Sequence, residues 1–122
     1  MIRTTLFGIF LILGTMMLAV AKEETPTPLK RAAIITIDGA IGPATLEYVK
    51  RAIEIVRTKD HNLAILKINT PGGLVDSTRK INTIILNAPV PIVGYVAPSG
   101  AHAASAGTYI LYATHIAAMA PG

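Results

Sequence analysis

Four short apolar runs, each containing β-branched residues or isoleucine, recur along the chain and are separated by longer segments of mixed polarity. The runs occupy residues 32–37, 63–68, 91–96 and 115–119. Continuous apolar runs of this length, bounded by turn-forming residues, are typical of buried strands in a parallel sheet. The pattern therefore predicts four strands.

The segments between these runs predict helices, because their apolar residues recur every three or four positions and so share one helical face. The first stripe consists of Leu46, Val49, Ile53 and Val56, and the second of Leu74, Thr78, Ile81 and Ile85. Pro43 marks the start of the first helix. The small residues at 101–106, followed by residues 107–113, predict a third helix that packs closely on its neighbours. Ser77 lies outside the second stripe, and we expect it to be exposed.

Strand and helix alternate throughout, an order typical of an α/β fold in which right-handed crossovers build a parallel sheet of repeated βαβ units. The functional groups of such sheets lie at the carboxyl ends of the strands. Two loops at that edge have a suitable composition, at residues 69–73 after the second strand and at residues 97–104 after the third. We expect the chemistry there.

The start of the chain has the composition of a secretory signal peptide. A positive first segment is followed by an apolar run at residues 6–18 and by the small residues Ala19, Val20 and Ala21. An uncleaved anchor is the alternative, since about 18 apolar residues can span a bilayer. We divide the chain into a signal peptide or membrane anchor (1–21), a linker (22–31) and one domain (32–122). The domain is expected to be exported or membrane-associated, on the extracytoplasmic side.

Composition and charge exclude several classes of function. The formal net charge is +4, and the basic residues are scattered rather than clustered, so we expect no nucleic-acid partner. The absence of cysteine from the sequence excludes a disulfide scaffold, a thiolate nucleophile and a cysteine-based zinc site. The three histidines lack the spacing of metal ligands, and we expect neither a metal nor another cofactor.

Gly72 and Gly73 are the distinctive feature of the first loop. Residues without a Cβ leave neighbouring N–H groups unshielded, and adjacent exposed amides can hold a carbonyl oxygen that becomes negative during acyl transfer. A plain strand-to-helix turn is the alternative, because such turns also favour glycine.

Ser105 lies among alanine and glycine residues at the predicted start of the third helix. A hydroxyl there is close to unpaired N–H groups and to the positive end of the helix dipole, which suits a nucleophile. An ordinary N-cap is the alternative. His102 is a weak candidate for the base, since it must fold back to reach a hydroxyl three residues away. Asp38 and Asp76 are candidates for a third member that nothing in the sequence positions.

Two motifs together indicate a family. Residues 68–73 (INTPGG) and 98–110 (PSGAHAASAGTYI) resemble the NfeD family of membrane-bound serine proteases, whose N-terminal domain has the ClpP/crotonase fold. The resemblance extends from about residue 32 to residue 122. It implies that Ser105 is the nucleophile and that Gly72, Gly73 and the N–H of Ala106 form the oxyanion hole.

The resemblance also implies a Ser–Lys dyad, in which a partly desolvated lysine accepts the proton of the serine. In the family that lysine follows the nucleophile at some distance, whereas residues 106–122 contain no lysine. We therefore expect the chain to be the N-terminal portion of the protease domain, either a fragment or a prematurely ended product, and to be inactive by itself.

For the complete protein, the resemblance implies an endopeptidase that cleaves hydrophobic segments of membrane proteins, with a hydrophobic peptide or a stomatin-like membrane protein as its partner. The alternative is a non-catalytic module of the same fold that binds a partner or assembles as a homo-oligomer. An acyl-CoA enzyme is disfavoured by export, because CoA thioesters are cytoplasmic.

Overall fold

The computed structural model describes residues 30–122, and the predicted alternation of strands and helices is confirmed there. The strands are β1 (Ala32–Asp38), β2 (Leu63–Asn69), β3 (Ile92–Val96) and β4 (Ile116–Met119). The helices are α1 (Pro43–Thr58), α2 (Val75–Leu86) and α3 (Ala106–Ala113). The predicted bounds differ by one residue at several ends. The signal or anchor segment predicted over residues 1–21 and most of the predicted linker lie outside the described residues.

The four strands form one parallel sheet in the order β1-β2-β3-β4. Leu66 of β2 pairs with Ile35 of β1 on one side and with Gly94 of β3 on the other. Each strand therefore lies beside the strand that precedes it in the sequence, and the carboxyl ends of β2 and β3 are adjacent. The sheet is the parallel α/β architecture that the sequence predicts.

The hydrophobic core lies between the sheet and a single layer of helices. α2 packs against both α1 and α3, so the three helices form that layer. The largest fully buried side chains are contributed by both layers: Ile35, Leu66, Ile68, Ile81, Ile85, Ile92, Ile110, Val49 and Val56. In β2, fully buried residues alternate with half-buried ones.

This alternation corrects the expectation that the strands are buried on both faces. Ile34 is 68% exposed although its neighbour Ile35 is 2% exposed, and Tyr95 of β3 is also exposed. The reason is that the helices form one layer on the Ile35 face. We call the opposite face, which carries Ile34, Ile65 and Tyr95, the open face of the sheet.

The prediction that Ser77 is exposed is wrong, because this side chain is 3% exposed. Ser77 lies four residues before Ile81 and eight before Ile85, so all three share one face of α2. Leu74, which the predicted stripe included, is 58% exposed. It precedes the helix on extended backbone and does not follow the helical rotation.

Within residues 30–122, no helix is both long enough and apolar enough to cross a membrane.

Candidate active site

The two loops that the sequence singles out lie side by side, joined by backbone hydrogen bonds. Thr70 donates its N–H to the carbonyl of His102 at 2.7 Å, and Ala104 donates to the carbonyl of Thr70 at 3.0 Å. These bonds form a short parallel bridge between Thr70 and Ala103. The carboxamide oxygen of Asn69 adds a weaker contact, accepting from the N–H of His102 at 3.4 Å. The pairing of β2 with β3 therefore continues beyond the strand ends.

Another backbone segment passes so close to residue 73 that only glycine fits there. The segment before α1 runs beside it, with the N–H of Ile41 donating to Gly72 and the N–H of Leu74 donating to Ile41, both at 2.8 Å. A Cβ at Gly73 would stand 2.1 Å from the carbonyl oxygen of Ile41, closer than any real contact. The glycine loop is thus held on both sides.

Gly72 is the residue against which Ser105 packs. A Cβ built at Gly72 would lie 2.8 Å from the Cβ of Ser105 and 3.2 Å from its Oγ. The φ of Gly72 is +121°, a conformation that favours glycine. Its N–H donates to Oγ1 of the fully buried Thr70 at 3.1 Å. That N–H is therefore engaged, and among the two glycines it is Gly73 whose amide is left for a ligand.

Ser105 adopts a backbone conformation that is rare for a residue with a side chain. Its φ is +51° and its ψ is −113°, immediately before the first residue of α3. Such conformations cost about 1–3 kcal/mol and cluster at functional sites, including the strand-to-helix turns that present nucleophilic serines. The side chain is exposed and makes no capping hydrogen bond to α3. The N-cap alternative therefore does not describe this serine.

The backbone N–H groups of Gly73 and Ala106, which line one cleft with Ser105, have no hydrogen-bond partner among residues 30–122. At the start of α3 the next two amides, of Gly107 and Thr108, are satisfied by the carbonyls of Ala104 and Ser105. An unpaired N–H at a helix start attracts negative charge, and the helix dipole adds to that attraction. The arrangement can hold an oxyanion.

A cleft of about 380 Å³ opens beside the serine, between α2 and α3. Its lining consists of Gly73, Val75, Thr78, Arg79, Asn82, Ser105, Ala106 and Tyr109. Val75 and Tyr109 are each 66% exposed and give the cleft apolar walls. The volume is sufficient for a substrate side chain next to the hydroxyl.

The other polar candidates are not brought to Ser105. Asp76 forms an ion pair with Lys80 at 2.7 Å, and Asp38 accepts from the carboxamide of Asn69 at 3.1 Å. His102 contributes its backbone to the loop contact, and within residues 30–122 its side chain makes no hydrogen bond to Ser105. A local Ser–His–Asp triad is therefore not formed.

Sequence reasoning missed several residues of the site. Thr70 lies in the predicted loop at residues 69–73 and is not predicted to have a role of its own, yet its buried hydroxyl fixes the Gly72 amide. Arg79 and Asn82 line the cleft and belong to no motif, and Tyr109 lies within the motif at residues 98–110 without a predicted role. Their spacing contains a signal, because Val75, Arg79 and Asn82 fall on one helical face that is distinct from the buried stripe.

Comparisons with known proteins relate this chain to one family and one fold. The family model described as NfeD1b, N-terminal domain, matches residues 31–122. Membrane-bound protease PH1510 of Pyrococcus horikoshii is 39% identical over 89 residues, which are 73% of this chain and 20% of that protein. Membrane protein NfeD1b of Bacillus subtilis is 34% identical over an alignment length of 123 residues, which covers 98% of this chain and 26% of that protein. The chain thus spans a fifth to about a quarter of these curated relatives.

Solved structures show the same fold. A mutant of the 1510-N membrane-bound stomatin-specific protease in which a serine is replaced by alanine has a TM-score of 0.77 at 35% identity, with 79% of this chain and 46% of that chain covered. A lysine-to-alanine mutant of this protease in complex with a substrate peptide has a TM-score of 0.76 at 36% identity, covering 79% of this chain and 44% of that chain.

A mutant of ClpP1 from Listeria monocytogenes has a TM-score of 0.53 at 25% identity, with 66% of this chain and 46% of that chain covered. The expected ClpP-like fold is therefore confirmed. With the family model matched over nearly all of the described residues, the chain belongs to the NfeD1b N-terminal domain family, as a ClpP-like domain related to membrane-bound proteases.

Proposed function

We propose that the complete protein is a membrane-associated serine endopeptidase with Ser105 as its nucleophile. The observation that carries the proposal is the conformation of Ser105. Its side chain is exposed, packs against Gly72 and makes no capping hydrogen bond to α3, and its backbone has a strained positive φ. A serine that only starts a helix would cap it from an ordinary conformation. The relatives that are named as proteases support the same function.

In the proposed reaction, Oγ of Ser105 bonds to the carbon of a peptide carbonyl, whose oxygen becomes the oxyanion. The N–H groups of Gly73 and Ala106 donate to that oxygen, and this is the interaction that strengthens most in the transition state. The serine proton passes to a general base and then to the leaving amine as the C–N bond breaks. Water next attacks the acyl-enzyme and releases the second product, which restores the hydroxyl.

We propose that the general base is a lysine outside residues 30–122. None of the lysines in that part of the chain lines the cleft. Support for a lysine comes from the relative that was solved as a lysine-to-alanine mutant with a substrate peptide. Without a base, a serine hydroxyl stays protonated and is a weak nucleophile. Residues 30–122 are then expected to be inactive by themselves.

The proposed substrate is an apolar segment of a membrane protein, and the proposed partner is stomatin-like. The exposed side chains of Val75 and Tyr109 support this substrate, since they offer apolar walls to a peptide beside the hydroxyl. One relative is named as a stomatin-specific protease. The predicted signal or anchor segment supports a domain on the extracytoplasmic side of the membrane.

Labelling with a serine-reactive fluorophosphonate tests the nucleophile. The complete protein is expected to be labelled, Ser105→Ala to lose the label, and Ser99→Ala to keep it. Ser99 is a matched control because it is an exposed serine of the same loop region and does not line the cleft. Labelling that survives Ser105→Ala, or a complete protein that no probe labels, would contradict the proposal.

The open face of the sheet favours a second function, that of a binding or oligomerising module. Ile34 is 68% exposed there and Tyr95 lies on the same face, and exposed apolar surface of this kind is a frequent site of association. A complete protein that fails to react with the probe, yet binds a stomatin-like protein unless Ile34 is replaced by a charged residue, would establish this second function instead.

A further inference from the structure

The wall of the cleft formed by α2 contains a cation that has no counter-ion in the described part of the chain. Ion pairs there join Arg57 to Glu54 and Lys80 to Asp76, whereas Arg79 forms none. Arg79 and Lys80 are neighbours in sequence, yet it is Arg79 that lines the cleft with the serine. No aspartate or glutamate lines this cleft. Arg79 therefore lines a cleft that has no acidic residue among its lining residues.

Asn82 supplies a second group in need of a partner. Its carboxamide oxygen is buried and accepts no hydrogen bond from residues 30–122. It lies three residues after Arg79, on the same face of α2. That oxygen is closed to the cleft, whereas the carboxamide nitrogen of this half-buried, cleft-lining residue keeps accessible surface and donates no hydrogen bond within residues 30–122. An acceptor from a ligand, such as a peptide carbonyl, would therefore complete this site. A substrate that brought only hydrocarbon here would shield two donor groups from water and satisfy neither.

The part of the cleft lining that α2 contributes changes from apolar to polar along the helix. Val75 lies near the start of the helix, and Arg79 and Asn82 follow at about 6 Å and about 10 Å along its axis. Tyr109 of α3 is a second apolar wall. A peptide crossing this cleft therefore meets hydrocarbon, then a cation, then a carboxamide N–H. A glutamate fits that order, because its methylene stem is apolar and its carboxylate matches the planar donors of a guanidinium.

We propose that Arg79 selects a glutamate side chain at one position close to the scissile bond of an otherwise apolar peptide, and that Asn82 holds the peptide by donating its carboxamide N–H to one of the peptide's backbone carbonyls. This inference rests on the proposed function. In this proposal Arg79 determines which substrate side chain is preferred, whereas Asn82 strengthens the binding of every peptide. The apolar walls and the single cation together define a substrate of low polarity with one acidic residue.

Peptide binding to the complete protein carrying Ser105→Ala tests the inference without turnover. A fluorescent apolar peptide is prepared with Glu, Gln, Leu or Lys at each position in turn, and dissociation constants are measured by anisotropy. At one position we expect Glu to bind about fivefold more tightly than Gln, the size of a partly exposed charged pair. The preference is expected to weaken at high salt, because the pair is screened.

Variants separate the two roles. Arg79→Gln is expected to abolish the preference for Glu over Gln, and Arg79→Glu to transfer the preference to Lys. Asn82→Leu is expected to weaken all peptides by a similar factor. Lys50→Gln removes an exposed charge that lies outside the cleft and forms no ion pair within residues 30–122, and it is expected to change nothing. Arg79 is exposed, so its replacement leaves the fold intact.

The outcomes distinguish the two proposals. If apolar peptides bind but no position prefers Glu, or if the preference survives Arg79→Gln, the selectivity inference is overturned and the proposed function stands. If no peptide binds at any position, the proposed function fails and this inference fails with it.

Discussion

Replacing Ser105 by glycine is expected to stabilise the domain relative to replacing it by alanine, the reverse of the usual order. The reason lies in the backbone of this residue, with φ at +51° and ψ at −113°. Alanine retains the Cβ that makes this region unfavourable, whereas glycine does not. Both variants lack the hydroxyl, so their difference isolates the backbone.

The expected size of the effect follows from two opposing terms. A residue with a Cβ in such a conformation costs about 1–3 kcal/mol. Glycine loses more backbone entropy on folding than alanine does, and this loss offsets about 0.5–1 kcal/mol of the strain energy that is relieved. The net advantage of Ser105→Gly over Ser105→Ala is therefore about 1 kcal/mol, equivalent to a rise in Tm of about 4–8 °C for a domain of this size.

Urea denaturation of the two variants measures this difference, with an unchanged m value as the sign that only stability has changed. Ala104→Gly is the matched control, since Ala104 is the exposed neighbour and its φ is not positive. That control is expected to lose about 0.5–1 kcal/mol. If Ser105→Gly is no more stable than Ser105→Ala, the serine is not strained and the argument for a pre-set nucleophile fails.

Three further predictions concern the surroundings of the site and the sheet. Gly73→Ala is expected to cost about 3 kcal/mol or more, because its Cβ would stand 2.1 Å from a backbone oxygen; a loss below about 1 kcal/mol in urea denaturation would contradict this close approach. Thr70→Val is expected to cost about 1–3 kcal/mol by removing the acceptor of the Gly72 N–H. Thr70→Ser should recover most of that stability, and equal losses in the two variants would mean that the methyl group matters instead. Ile35→Ala is expected to cost about 2–5 kcal/mol and Ile34→Ala less than about 1 kcal/mol, and comparable losses would show that the open face is covered.

The order of elements could be predicted from the sequence because helix and strand periodicity are local properties. The stripe from Leu46 to Val56 needed no knowledge of the rest of the chain. The meeting of the two loops could also be predicted, because the carboxyl ends of adjacent parallel strands share one edge. Ser105 and the glycine pair are in contact for that reason.

Other features depend on which elements become neighbours and could not be predicted from local patterns. The exposure of Ile34 follows from all three helices forming one layer, which a run of apolar residues does not specify. The separate roles of Gly72 and Gly73 depend on Thr70, whose hydroxyl takes one amide and leaves the other. The burial of Ser77 could not be predicted because the buried face of α2 is wider than its apolar stripe and includes this polar residue beside Thr78 and Ile81.

The parallel bridge between Thr70 and Ala103 affects how the hydroxyl of Ser105 is presented to a substrate. Since it prolongs the pairing of two neighbouring strands, the turn that presents the serine shares the stiffness of a sheet interior instead of the mobility of a surface connection. Amide hydrogen exchange at Thr70 and Ala104 should accordingly be as slow as in the strands themselves. The incoming peptide then has to adopt a conformation that fits a rigid site, and most of the conformational entropy lost on binding is lost by the substrate.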